Sequence, residues 1–261
     1  MKGAKLILTL IVSTFLWFFV AITAFLLFLV DFVVWLLSFW WDRRLKLLHK
    51  YSSVWAMFYI WINPGWRIRV SGLEKIDKSK SYVIVCNHQS AFDIVLLYRL
   101  FTHFKWVAKK ELAKVPVIGW NLILNNSILI DRASAVSTKK MISQGLKHLK
   151  EGSSVLIFPE GTRTKDGQVK RFKEGAFLLA KQANSPILPV VIEGSKDIFP
   201  KPGIVKLRQN LTLKVLDPIE ANEVISTSVP DMTKRLNQLI MEEHKNLAPE
   251  KYMDSVNKQV N

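Results

Sequence analysis

Residues 6–30 contain no Asp, Glu, Lys, Arg or His. As an α-helix this block rises about 37 Å, more than the roughly 30 Å hydrocarbon core of a bilayer, so any fold must either bury it or give it to lipid. From Leu6 to Trp41 the only charge is Asp31, and no Gly or Pro occurs between Ala4 and Asn63. The pattern predicts one long helix running toward Trp41, with a helical hairpin as the alternative. Lys2 and Lys5 resemble the start of a signal peptide. The apolar run, however, far exceeds the 7 to 15 residues or so of a signal's hydrophobic region, which favours a retained anchor.

Residues 42–62 read as a second helix, with Arg43, Arg44, Lys46 and Lys50 crowded at its start and Leu45, Leu48, Trp55, Phe58 and Ile62 at helical spacing. Seven of the nine tryptophans precede residue 67, and indole favours the boundary between headgroups and hydrocarbon. An interfacial helix is one reading, and a stripe packed on a globular domain is the other. Asn63-Pro64-Gly65 ends the helical region. The expected division is therefore 1–62, a membrane helix or hairpin plus an amphipathic interfacial helix, and 63–261, an α/β domain closed by a C-terminal helix.

Past residue 64 the chain carries 31 of the 37 basic residues and 19 of the 21 acidic ones, a surplus of +12. Such a field draws anionic partners, whether nucleic acid, phospholipid surfaces or phosphorylated small molecules. The single cysteine, Cys86, excludes a disulfide scaffold and a cysteine-rich zinc site. No nucleic-acid-binding motif, G-x-G-x-x-G or Walker A string is present, and no metal-ligand set is recognisable. The basic cluster after the apolar block predicts that the domain beyond it lies on the cytoplasmic side of the inner (cytoplasmic) membrane or an endomembrane.

Short β-like runs at 67–70, 82–86, 105–108, 127–131, 154–158, 187–192, 205–208 and 211–216 alternate with helical ones at 90–101, 135–150, 173–183 and 230–246. The last dozen residues read as frayed. This alternation predicts an α/β fold with a central mixed, partly parallel sheet flanked by helices, preceded by the N-terminal membrane-anchoring segment.

Two segments at strand ends carry chemistry. In Asn87-His88-Gln89-Ser90-Ala91-Phe92-Asp93, a histidine can take a proton from an attacking hydroxyl, and a carboxylate one turn on can fix its tautomer. Ser90 and Asp93 also fit a capping box, so the same residues can instead close a helix. In Phe158-Pro159-Glu160-Gly161-Thr162-Arg163, Gly161 allows a tight turn and the Arg163 fork suits phosphate oxygens. A solvated basic loop is the other reading. A third strand end, Asp131-Arg132, fits a structural ion pair as readily as a ligand contact.

Together these segments resemble the PlsC-type glycerolipid acyltransferases, the 1-acylglycerol-3-phosphate acyltransferase family, over residues 65–220. The N-H-x4-D block falls at Asn87, His88 and Asp93, and F-P-E-G-T-R falls at 158–163. The lysine-rich block falls at Ala108-Lys109-Lys110-Glu111-Leu112 with Pro116 and Gly119, and the apolar block around proline at 187–191. The block at 126–132 keeps its charged end but lacks the family's glycine and phenylalanine. The resemblance implies that His88 is a general base oriented by Asp93. It further implies that Arg132, Arg163 and a lysine of the Lys109–Lys110 pair hold the acceptor phosphate, and that Asn87, Glu160, Gly161 and Thr162 shape the pocket. Its substrates would be lysophosphatidate and an acyl thioester, acyl-CoA or acyl-carrier protein, used at a phospholipid bilayer with no cofactor, metal or nucleic acid. The departing block keeps another lysophospholipid or a lyso-aminolipid open as acceptor, and charge alone would also fit a non-enzymatic basic membrane module. Cys86 reads as core, and His49, His103, His148 and His244 as structural or surface residues.

Overall fold

In a computed structural model, which describes residues 2–131 and 134–257, the uncharged block forms one continuous helix, α1 (Lys2–Ser38), and no hairpin. With no helix breaker to turn it, the chain reverses only after Ser38 and enters α2 (Lys46–Trp61). That helix sinks Leu48, Ala56, Met57 and Ile60 into the protein and leaves Leu47, Val54 and Trp61 exposed, so a packed stripe and an outward apolar face coexist on it.

Seven strands follow: β1 (Trp66–Ser71), β2 (Val83–Cys86), β3 (Phe104–Lys109), β4 (Ile128–Ile130), β5 (Ser154–Ile157), β6 (Ile187–Glu193) and β7 (Gln209–Val215). They form one sheet in the order β1-β7-β6-β2-β5-β3-β4. All neighbours are parallel except β6 and β7, so β1 and β7 run against the other five. The sheet is thus mixed and mostly parallel. Its central strands are buried on both faces, which is why Val83-Ile84-Val85-Cys86 is an unbroken apolar run.

Ile84, Cys86, Leu156 and Leu188 meet α2, α3 (Asp93–Leu97) and α4 (Ile118–Leu124) on one face. Val83, Val85, Val155 and Ile187 meet α5 (Ala135–Lys150), α6 (Gly175–Ala183), α7 (Ala221–Ser226) and α8 (Val229–Leu247) on the other. Three differences from the sequence expectations stand out. The helix expected over 90–101 begins only at Asp93, because the preceding amides are tied to that residue's carboxylate. Residues 205–208 form no strand: the amide of Val205 donates to Ser13 Oγ of α1 at 3.1 Å instead of to a sheet neighbour. Beyond α8 the backbone continues as α9 (Glu250–Asn257) where fraying was expected, with Tyr252 donating to His244.

Along one stripe α1 leans on the domain. Trp17 Nε1 donates to the carbonyl of Gly203 at 2.8 Å, Tyr51 of α2 donates to the carbonyl of Leu27 at 3.0 Å, and Asn121 of α4 donates to the buried Asp31 carboxylate at 2.8 Å. Its other faces expose Ile7, Leu8, Phe15, Phe18, Leu26 and Leu37.

Candidate active site

The five co-directional strands end on one edge of the sheet, so β2, β3, β4, β5 and β6 deliver their following residues to a common rim. Connections leave β2 and its neighbours in different directions there, which opens a crevice between loops. Asn87 starts the loop by extending the β2–β6 ladder with its side chain. Its amide donates to the carbonyl of Ile192 at 2.9 Å and accepts from that residue's N–H at 2.8 Å.

His88 comes next, 7% exposed, with Nδ1 2.7 Å from Asp93 Oδ2. The same carboxylate oxygen accepts from the amides of Gln89 at 2.7 Å and Ser90 at 2.9 Å. Capping and orientation are therefore one arrangement, not rivals: the carboxylate closes the loop before α3 and also holds the imidazole. Asp93 has no solvent exposure, so it needs these donors to remain buried as an anion. They fix the tautomer with Nδ1 protonated. Nε2 is left without a partner among the described residues.

From β5, Phe158 lays its ring against the imidazole, and Glu160 turns inward. Its Oε1 accepts from the amide of His88 at 2.8 Å and its Oε2 from the amide of Lys170 at 3.2 Å. Burial pushes this carboxyl up to about 7, against the pull of those two amides. Gly161 adopts φ 71°, and a Cβ there would lie 3.2 Å from Lys173 Cε. Thr162 and Arg163 are exposed, and the Arg163 guanidinium makes no hydrogen bond or ion pair among the described residues. The basic segment beyond is not simply solvated. Lys170 Nζ donates to the carbonyl of Arg163 at 3.1 Å, and the amide of Lys173 donates to that of Pro159 at 2.9 Å.

Lys109 ends β3 on the same rim and Lys110 follows it; Lys109 lies 3.6 Å from Glu111, and Lys110 pairs with Asp131, the residue after β4. Arg132 lies outside the described residues. Cys86 is fully buried, and burial drives its thiol well above the ordinary range, which leaves no nucleophilic thiolate.

Sequence reasoning missed a polar layer behind the dyad. Ser195 Oγ donates to Asp93 Oδ1, and Gln89 Nε2 donates to Glu193 Oε2 at 2.8 Å. His244, read from the sequence as a structural or surface residue, is fully buried and sits 2.5 Å from Glu193 Oε2, and Lys251 pairs with Oε1. Burial raises Glu193, but the hydrogen bonds from His244, Lys251 and Gln89 outweigh it and bring the group down to about 2. The available signal was Glu193 and Ser195, polar residues at and just past the end of an apolar strand on the rim that carries His88.

Residues 67–193 match the model of the family described as Acyltransferase. The 1-acyl-sn-glycerol-3-phosphate acyltransferase of Pseudomonas aeruginosa is 33% identical over 199 residues, covering 75% of this chain and 77% of the relative. Chloroplastic LPAT1 of Arabidopsis thaliana, with the same activity in its name, is 35% identical over 158 residues. That match spans 60% of this chain and only 44% of the plant protein. The crystal structure of PlsC from Thermotoga maritima, a 1-acyl-sn-glycerophosphate acyltransferase, shares the fold at a TM-score of 0.73 and 25% identity, covering 95% of this chain and 98% of that one. The family match spans His88, Asp93 and residues 158–163, and the chain belongs to the 1-acyl-sn-glycerol-3-phosphate acyltransferase family.

Proposed function

We propose that this chain transfers a fatty acyl group from an acyl thioester to the free hydroxyl of 1-acyl-sn-glycerol-3-phosphate, forming phosphatidate. The observation that carries this reading is the 2.7 Å contact of His88 Nδ1 with the buried Asp93 carboxylate, which commits one ring nitrogen and frees Nε2 as a base. Nε2 removes the hydroxyl proton while the oxygen attacks the thioester carbonyl. The tetrahedral intermediate then collapses by breaking the C–S bond, and the departing thiolate takes the proton from the imidazolium. Asp93 stabilises that cation in the interval. Arg163, with Arg132 and a lysine of the 109–110 pair, receives the acceptor phosphate, for which a guanidinium fork is suited. Asn87, Glu160, Gly161 and Thr162 shape the pocket.

The exposed apolar faces of α1 support a bilayer-bound enzyme, with residues 1–62 as the lipid-facing unit and 63–261 as the catalytic one. The cations at 43, 44, 46 and 50 favour a cytoplasmic catalytic side. Purified protein offered acyl-CoA and acyl-carrier protein with a panel of lysolipids tests acceptor and donor together. Phosphatidate formation well above every other product supports the reading, and preference for a lysolipid without a phosphate monoester overturns it.

A further inference from the structure

We propose that Ser195 is a positioning residue for acyl transfer, acting through Asp93; the inference rests on the reading of His88 as general base. Asp93 Oδ2 is occupied by His88 Nδ1 and two backbone amides, whereas Oδ1 receives the hydroxyl of Ser195. Rotation of the carboxylate about its Cβ–Cγ bond would break both sets at once, so the serine fixes the plane in which the imidazole must lie. Gln89 Oε1 lies 3.3 Å from the same hydroxyl, but one hydroxyl proton serves one strong bond, and the charged acceptor is the stronger. Ser195 has no solvent exposure, so a missing hydroxyl leaves Oδ1 without a donor in a site that water does not reach.

The strand end before Ser195 is itself held rigidly. Gly194 has φ 89°, and a Cβ there would come within 2.2 Å of the carbonyl oxygen of Asn210 on β7. Glu193 is clamped by Gln89 of the His88 loop, by His244 of α8 and by Lys251 of α9. The C-terminal helices therefore brace the short segment that delivers the hydroxyl, 102 residues from the carboxylate it meets.

The test uses the full chain in detergent with lysophosphatidate and the active acyl donor. Ser195→Ala is expected to lower kcat about 10- to 100-fold, the range for a lost hydrogen bond to a charged group, while both KM values stay within about twofold. Ser195→Thr, which keeps the hydroxyl, should recover most of the rate. On an Asp93→Asn background, Ser195→Ala should cost less than about twofold more, because the path through the carboxylate is already broken. Wild-type kcat in Ser195→Ala overturns the inference, as does an equal loss on both backgrounds, the sign of a general structural role. His88→Ala in the same assay separates the two readings. If that variant turns over, the base reading fails; if it is dead while Ser195→Ala is fully active, only the role of Ser195 fails.

Discussion

The imidazole of His88 lies flat against the phenyl ring of Phe158, centroids 3.9 Å apart and planes 14° from parallel. Trp106 lies 6.3 Å from that phenyl ring, so the imidazole is held between a hydrogen bond at its edge and an aromatic wall at its face. Under the proposed mechanism the wall would favour the imidazolium formed during transfer, since a cation is attracted to a ring face. Phe158→Leu should keep the apolar volume and lose this support, lowering kcat about 3- to 10-fold. Kinetics alongside a thermal melt decide it: a falling melting temperature with unchanged kcat would make Phe158 a packing residue only.

His88→Ala should reduce turnover by about 10² to 10³, the contribution of a positioned base, with little change in stability. Asp93 differs because its carboxylate also accepts two loop amides. Asp93→Ala is therefore expected to cost about 1–3 kcal/mol of stability besides the rate, and Asp93→Asn to lose rate with a smaller stability cost. Urea titrations of the three variants separate these effects.

Arg163→Lys keeps the charge and removes the fork. With the guanidinium free of protein partners among the described residues, the change should raise the apparent KM for lysophosphatidate about tenfold while sparing that for the donor. Equal rises for both substrates would assign the residue to the donor or to the loop.

Glu160 should leave a mark on stability. Its carboxyl is pushed from 4.5 to about 7 by burial, so between these values the folded state holds a proton that the unfolded chain has released. Stability then falls as pH rises through this window, by at most about 1.4 kcal/mol per pH unit, and is greatest at its acid end. Glu160→Gln should flatten that slope. Denaturant melts between pH 5 and 7 that rise for the wild type relative to this variant would contradict it.

Carbonate or high-salt washing of membranes should leave the intact protein bound, because a long apolar helix in lipid is insensitive to ionic strength whereas charge pairing alone is screened. Recovery in the supernatant would count against α1 as an anchor.

What the sequence made legible follows from periodicity and local chemistry. The apolar runs of β2, β5 and β6 identified themselves, and so did the histidine and carboxylate five residues apart, because each signal is local. Val205 misled for the opposite reason: a β-branched residue near cations resembles a strand, yet its amide is satisfied by Ser13, 192 positions earlier. Ser195 and His244 were opaque in the same way. Nothing near Ser195 in the chain announces Asp93 as its partner, and nothing near His244 announces Glu193; only the fold brings each pair together.

The grip on α1 has a mechanical meaning. Ser13, Trp17 and Asp31 bind the domain at three points, the 203–205 loop twice and α4 once, over about 27 Å of helix. A helix clasped so far along its length cannot roll or tilt on its own. A domain on a flexible tether would sample every height above a surface, whereas here any roll or tilt of α1 carries the whole sheet with it. On the proposed bilayer reading, the rim bearing His88 would meet headgroups at one depth and one angle, and the search for acceptors would be a slide in two dimensions.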